Sequence, residues 1–149
     1  MSDDLKAKLA ELKARKAARQ AEREAQEAER KVALEIQELE LEERFEKELG
    51  ARGRYFELVD ISDVEPDHPF VAVKLGPAVA FNRFVAGISK DDADVLALQE
   101  ELLLPSCVAY PSAEEARTLF DRRPAIIPRC ADRAIGLYGA KNEGRAKKS

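Results

Sequence analysis

From Asp3 to Leu49 the chain contains neither proline nor glycine, and Ala, Glu, Lys, Arg, Leu and Gln supply most of the stretch. These side chains lose little freedom in a helix and rarely offer the backbone a competing partner, so the passage predicts one long helix. Ser2 is placed to cap its start, Asp3 and Asp4 suit the positive end of the helix dipole, and Gly50 follows the last apolar position as a stop. A third of the 149 residues is thereby committed to a rod.

That rod has little to bury. Residues 1–50 hold 11 of the 25 Lys and Arg and 14 of the 29 Asp and Glu, so half of its positions are charged. Its apolar seam is built mainly from alanine: Ala14, Ala18, Ala21, Ala25, Ala28 and Val32 follow a four-three spacing. Ile36 and Leu39 continue it after one four-residue slip, and a separate stripe of Leu5, Leu9 and Leu12 precedes it. A slip of this kind locally unwinds a coiled coil, and an alanine seam buries little area per turn. Such a helix is weakly stable alone and gains from a partner. Charge is polarised too, with seven basic and two acidic side chains over residues 5–23 and four basic and ten acidic over 24–48. Antiparallel pairing would bring the opposite halves together; a solvated single helix laced with (i, i+4) pairs fits the same pattern. The expectation drawn here is helical self-association that weakens with salt, with Ala18, Ala25, Val32 and Leu39 among the partner-binding residues.

After Gly50 the pattern changes. Residues 55–61, YFELVDI, alternate Tyr55, Glu57, Val59 and Ile61 against Phe56, Leu58 and Asp60, and residues 70–75, FVAVKL, are rich in strand formers. With the turn-forming SDVEPDHP between them they predict a two-stranded hairpin that needs a helical layer. Pro77 opens the next helix, on which Phe81, Phe84, Val85 and Ile88 recur at i, i+3, i+4 and i+7 as one apolar face. Ser89 and the acids of SKDDAD start another, carrying Val95, Leu98 and Leu102, which Pro105 interrupts. Ser112 and Glu115 form a capping box before Ala116, Leu119 and Phe120. A last helix is expected from about Pro128 to Tyr138, with Ile127, Ala131, Ala134, Ile135 and Tyr138 inward and Gly139 as its stop.

The net charge of −4 and pI near 5.3 give no electrostatic footprint for a nucleic-acid backbone. The N-terminus lacks the apolar stretch of a secretion signal, and no run approaches the ~20 apolar residues of a membrane span. Neither nucleic acid nor membrane is expected as a partner. Cys107 and Cys130 with the single His68 make no recognisable metal set. Cys107 would be the nucleophile if there were one, but it sits among Leu102, Leu103, Leu104 and Val108, and nothing places His68 beside it. It reads as a small core residue, and a thiol-dependent enzyme is the weakest of the readings. SKDDAD lacks the glycine and closing Glu of a calcium loop, and GARGRYF runs into a strand where a phosphate loop needs a helix. No catalytic residue, metal site or cofactor is expected. Tyr110 either completes the core or lines a partner groove.

Taken in order, LEERFEKELGARGRYFELVDI, FVAVKLGPAVAFNRFVAGI and CVAYPSAEEARTLFDRRPAIIPRCADRAIGLYG resemble the tail assembly chaperones of long-tailed bacteriophages. The matching positions are Phe81 to Phe84, Cys107 to Pro111 and Leu137 to Gly139, within a resemblance covering about residues 40–140. Two departures stand out: Pro105 falls where that family's helix runs straight into the Cys-Val-x-Tyr-Pro turn, and the charged N-terminal helix is longer than usual. The resemblance implies a non-enzymatic chaperone that binds the tape-measure protein in the host cytoplasm. Phe81, Phe84, Tyr110, Phe120 and Tyr138 fall at core spacing, with core packing the default for all five, and Phe81, Phe84 and Tyr110 are the domain's candidate partner-binding residues. The alternative is a structural or adaptor component of the particle, found in the virion, which associates through its N-terminal helix. The expected fold is α+β and mostly helical: a charged helical arm at 1–50, a small domain at 51–140 of a β-hairpin with about four helices, and a disordered basic tail at 141–149.

Overall fold

The computed structural model describes residues 2–148, with side chains through residue 139. It is an α+β structure, mostly helical. The chain divides into two compact units, residues 1–39 and 40–149.

The first unit is the greater part of helix α1 (Asp3–Glu48). The Ser2 Oγ accepts the Leu5 N–H at 3.3 Å, as a capping residue should. Every side chain from Ser2 to Ala33 is exposed. Pairs such as Arg15 with Glu11 and Lys31 with Glu27 lie one turn apart along the surface; exposed pairs of this kind each contribute only about 0.3–0.5 kcal/mol.

The second unit begins while α1 is still helical. Leu41 and Phe45 are buried, and Arg52 donates to Glu42 at 2.6 Å and to Glu57 at 2.7 Å. The boundary therefore falls at Leu39/Glu40 rather than at Gly50. Past Leu49 the chain turns through Gly50 (φ +117°) and Gly53 (φ +87°), conformations that favour glycine, so the stop read at Gly50 is used.

The sheet has three strands, one more than the expected hairpin. β1 (Phe56–Asp60) pairs antiparallel with β2 (Phe70–Lys74) in the register Phe56 to Lys74, and β2 pairs antiparallel with β3 (Val108–Tyr110). A strand of three residues is too short to show an alternation, and β3 is defined by its partner. Both faces of β2 are covered. Val59, Ile61, Val71 and Val73 join the main core with α5 (Ala113–Arg122) and α6 (Ile126–Lys148). The opposite face carries Phe56, Leu58, Phe70 and Ala72, all buried, and Phe45 of α1 packs on Phe56 with ring centroids 5.8 Å apart.

Three helix boundaries depart from the sequence reading. α2 (Ala78–Ile88) begins after Pro77 as expected, but Ser89 closes it, its hydroxyl donating to the Val85 carbonyl at 2.8 Å. The next helix, α3 (Val95–Leu98), is capped by Asp94, which accepts the Ala97 N–H at 3.1 Å; the intervening residues turn instead of coiling. Pro105 does not end this helical stretch. A π-helical turn (Gln99–Leu103) precedes α4 (Leu104–Cys107), so Pro105 stands in the first turn of the new segment, where a missing N–H costs nothing. Finally, α6 starts at Ile126 and its backbone runs past Gly139 to Lys148, through the residues expected to form a loose tail. Gly139 costs a helix about 1 kcal/mol, and helix formers on either side outweigh it.

Candidate partner-binding surfaces

The hinge between α4 and α5 is anchored from beneath. Cys107 and Tyr138 are both buried, with Sγ and Oη 3.6 Å apart, and the Tyr138 hydroxyl donates to the Pro77 carbonyl at 3.4 Å. The Tyr138 ring stacks on Phe81 at 4.2 Å. Burial is the main cause that pushes the Cys107 thiol above its ordinary range, although Tyr138 and Lys74 pull the other way. Burial likewise pushes Cys130 up to about 12 and raises Tyr138. Thiols held protonated in this way are poor nucleophiles. We expect iodoacetamide to leave both cysteines unmodified in the native protein at neutral pH and to modify both after unfolding. Rapid alkylation of Cys107 in the folded chain would show a reactive thiolate there. Among the described residues, no group of three or more His, Cys, Asp and Glu side chains is gathered where it could hold a metal ion.

A second anchor holds the loop between β1 and β2. Glu65, nearly buried, accepts from Arg122 at 2.9 and 3.1 Å and from Arg123 at 3.1 Å. Asp63 takes a two-pronged contact from Arg129 at 2.7 and 2.6 Å. The hydrogen bond from Arg122 holds the Glu65 carboxyl below its ordinary value of 4.5, and that from Arg129 holds Asp63 below 3.8. Both folded values are depressed, so the stabilisation is complete above those ordinary values and is lost as pH falls through the lower, folded ones. An acid titration of the thermal midpoint should therefore steepen below about pH 4. The Asp63→Asn, Glu65→Gln double variant should flatten that limb; an unchanged limb would show the clamp to be absent in solution.

A groove of about 440 Å³ lies between the π turn, α4, β3 and α5. Pro105, Val108 and Ala113 give it accessible apolar surface above a floor of buried Leu104, Ala116 and Phe120, and Glu100, Glu101 and Asp121 with Arg117 stand around it. The floor residues follow from the pattern: Ala116 and Phe120 are the inward stripe of α5, begun where Ser112 Oγ accepts the Glu115 N–H at 3.3 Å. Elsewhere, α2 and α3 expose Val79, Val85, Ile88, Val95 and Leu96. Leu98 packs over Gly87 to join these helices, where a Cβ would meet it at 3.2 Å.

The residues singled out in the sequence are scattered. Ala18, Ala25, Val32 and Leu39 are exposed on α1. Phe84 is buried in the main core, and Phe81 is half-buried against Tyr138; the apolar face of α2 is covered along the Phe84 side and open at Val85 and Ile88. Phe84 is thus a core residue and is not available to a partner. Tyr110, also half-buried, pairs with Ala72 and lies beside Arg44, whose guanidinium sits 4.9 Å from the Phe45 ring and 5.9 Å from that of Tyr110. It completes the packing of α1 onto the sheet and is not among the residues lining the groove. Sequence reasoning missed the groove because its walls depend on the helix continuing through Pro105. The acids Glu100 and Glu101 beside an unbroken leucine run were the one available signal.

No family model, curated protein or solved structure matches the chain.

Proposed function

We propose that the chain is a non-enzymatic assembly chaperone that covers apolar stripes of a long helical client, as the tail assembly chaperones it resembles do for the tape-measure protein. The observation that carries this reading is the groove in which Pro105, Val108 and Ala113 offer apolar surface beside Glu100, Glu101 and Asp121. An amphipathic helix fits such a groove through its apolar stripe, and basic residues flanking the stripe would meet Glu100, Glu101 and Asp121. The buried, protonated state of Cys107 supports a role in packing over one in chemistry.

Co-expression with the tape-measure protein is expected to raise that partner's soluble yield and to give a complex on purification. The Glu100→Lys, Glu101→Lys double variant, altered only at the rim, should keep its unfolding midpoint and lose the complex. An unchanged yield with no co-purification would defeat the proposal.

The exposed apolar side of α1 favours a second reading, a structural or adaptor component held by its helix. Detection of the chain in purified mature particles would select it over a chaperone that departs.

A further inference from the structure

The exposed arm carries large apolar side chains that nothing in its own unit covers: Val32, Ile36 and Leu39 are 56%, 52% and 56% exposed. Continued toward the N-terminus, their face passes through alanines as far as Ala10 and Ala7. The successive steps from Ala7 to Leu39 are 3, 4, 4, 3, 4, 3, 4, 4 and 3 residues, the same read in either direction. Nine steps cover 39 − 7 = 32 residues, about 3.6 per step, which is the period of a straight α-helix.

We propose that two copies of the chain pair through this face as antiparallel helices, about a two-fold axis at the level of Arg23. In this register the numbers of facing residues sum to 46. Ala7 then faces Leu39, Ala10 faces Ile36 and Ala14 faces Val32, while Ala18 with Ala28 and Ala21 with Ala25 close the middle. Each large side chain meets a small one, so no layer stacks two large side chains and the helices approach most closely at the all-alanine middle. The four-residue slip at Ala10, Ala14 and Ala18 falls opposite the matching slip at Ala28, Val32 and Ile36, and neither helix must bend to correct the other. A parallel pair in register would set alanine on alanine at one end and Leu39 on Leu39 at the other.

Charge selects the same direction. Flanking the seam, Arg15 falls opposite Glu29 and Lys13 opposite Glu35, and the symmetry makes each pair twice. Near the axis Glu22 and Glu24 approach their own mates, giving two repulsive pairs against four attractive ones. The parallel arrangement would lay the basic half, residues 5–23, against its own copy. Antiparallel pairing sets the two Leu39 positions about 48 Å apart along the helices. On the client reading, this lets one dimer hold a long client at two separated points, where linkage raises avidity; the pairing itself does not depend on that reading.

Sedimentation equilibrium of the full chain is expected to give twice 16.6 kDa, with association weakening as salt is raised. Mixing Ala14→Cys chains with Val32→Cys chains under mild oxidation should yield the cross-linked 14-to-32 dimer. Either variant alone should not cross-link, since its two copies of the residue lie 18 positions apart along the seam, about 27 Å, and a disulfide spans under about 7 Å between Cα atoms. The native cysteines are buried and stay silent. Both substitutions lie in the arm, outside the unit that begins at Glu40, and leave its folding intact. A monomer in sedimentation, or self-cross-linking of Ala14→Cys, would overturn the proposal, whether or not the chain binds a client.

Discussion

Phe45→Ala is expected to cost about 3–5 kcal/mol of stability, a large part of the ~5–15 kcal/mol that holds a domain of this size. The ring is 2% exposed and packs on Phe56, itself wholly buried, so truncation leaves a cavity between α1 and the second face of the sheet. Arg44, which also lies near the Tyr110 ring, loses the aromatic surface of Phe45. Urea denaturation followed by near-ultraviolet circular dichroism would measure the loss, and the thermal midpoint should fall by roughly 10 °C or more. A change below about 1 kcal/mol would mean that the last turns of α1 do not belong to the domain.

Gly76→Ala is expected to cost about 1–3 kcal/mol from overpacking, a large effect for one methyl group. A Cβ there would stand 2.7 Å from the Ser106 carbonyl oxygen, 3.0 Å from Tyr138 Oη and 3.1 Å from Cys107 Sγ. The nearest of these is backbone and cannot swing aside, so β2 and α4 must part. The same substitution at Gly136 or Gly139 of α6 meets no atom within 4 Å and should stabilise by up to about 1 kcal/mol through helix propensity alone. Opposite signs at Gly76 and Gly136 in one denaturation series would test the close approach at the hinge; equal effects would refute it.

Periodicity and capping made much of this architecture legible. The uninterrupted run to Leu49, the strand-forming segments around Phe56 and Val71, the Ser112 cap and the inward stripe of α6 are local properties, written in a few consecutive residues. What was not legible depends on distant partners. β3 exists because β2 lies beside it, and Asp94 rather than Ser89 begins α3 because Ser89 is already spent closing α2. Phe84 and Val85 are adjacent on one helical face, yet one is core and the other surface, since only packing decides how wide a stripe is covered. The seam of α1 was visible as a spacing, whereas its exposure required the structure. The groove was hidden for a related reason: a proline reads as a break until the backbone before it is known.

The π turn at Gln99–Leu103 amounts to one surplus residue in an otherwise helical stretch, and a residue advances a helix by about 100°. It therefore acts as a phase shifter. Upstream Val95 and Leu96 look outward, while Leu104 and Cys107 downstream are both buried. Deleting a single residue there would leave a smoother helix whose lower half is turned by more than a quarter revolution, carrying Cys107 away from Tyr138 and swinging the groove's floor out of alignment with α5.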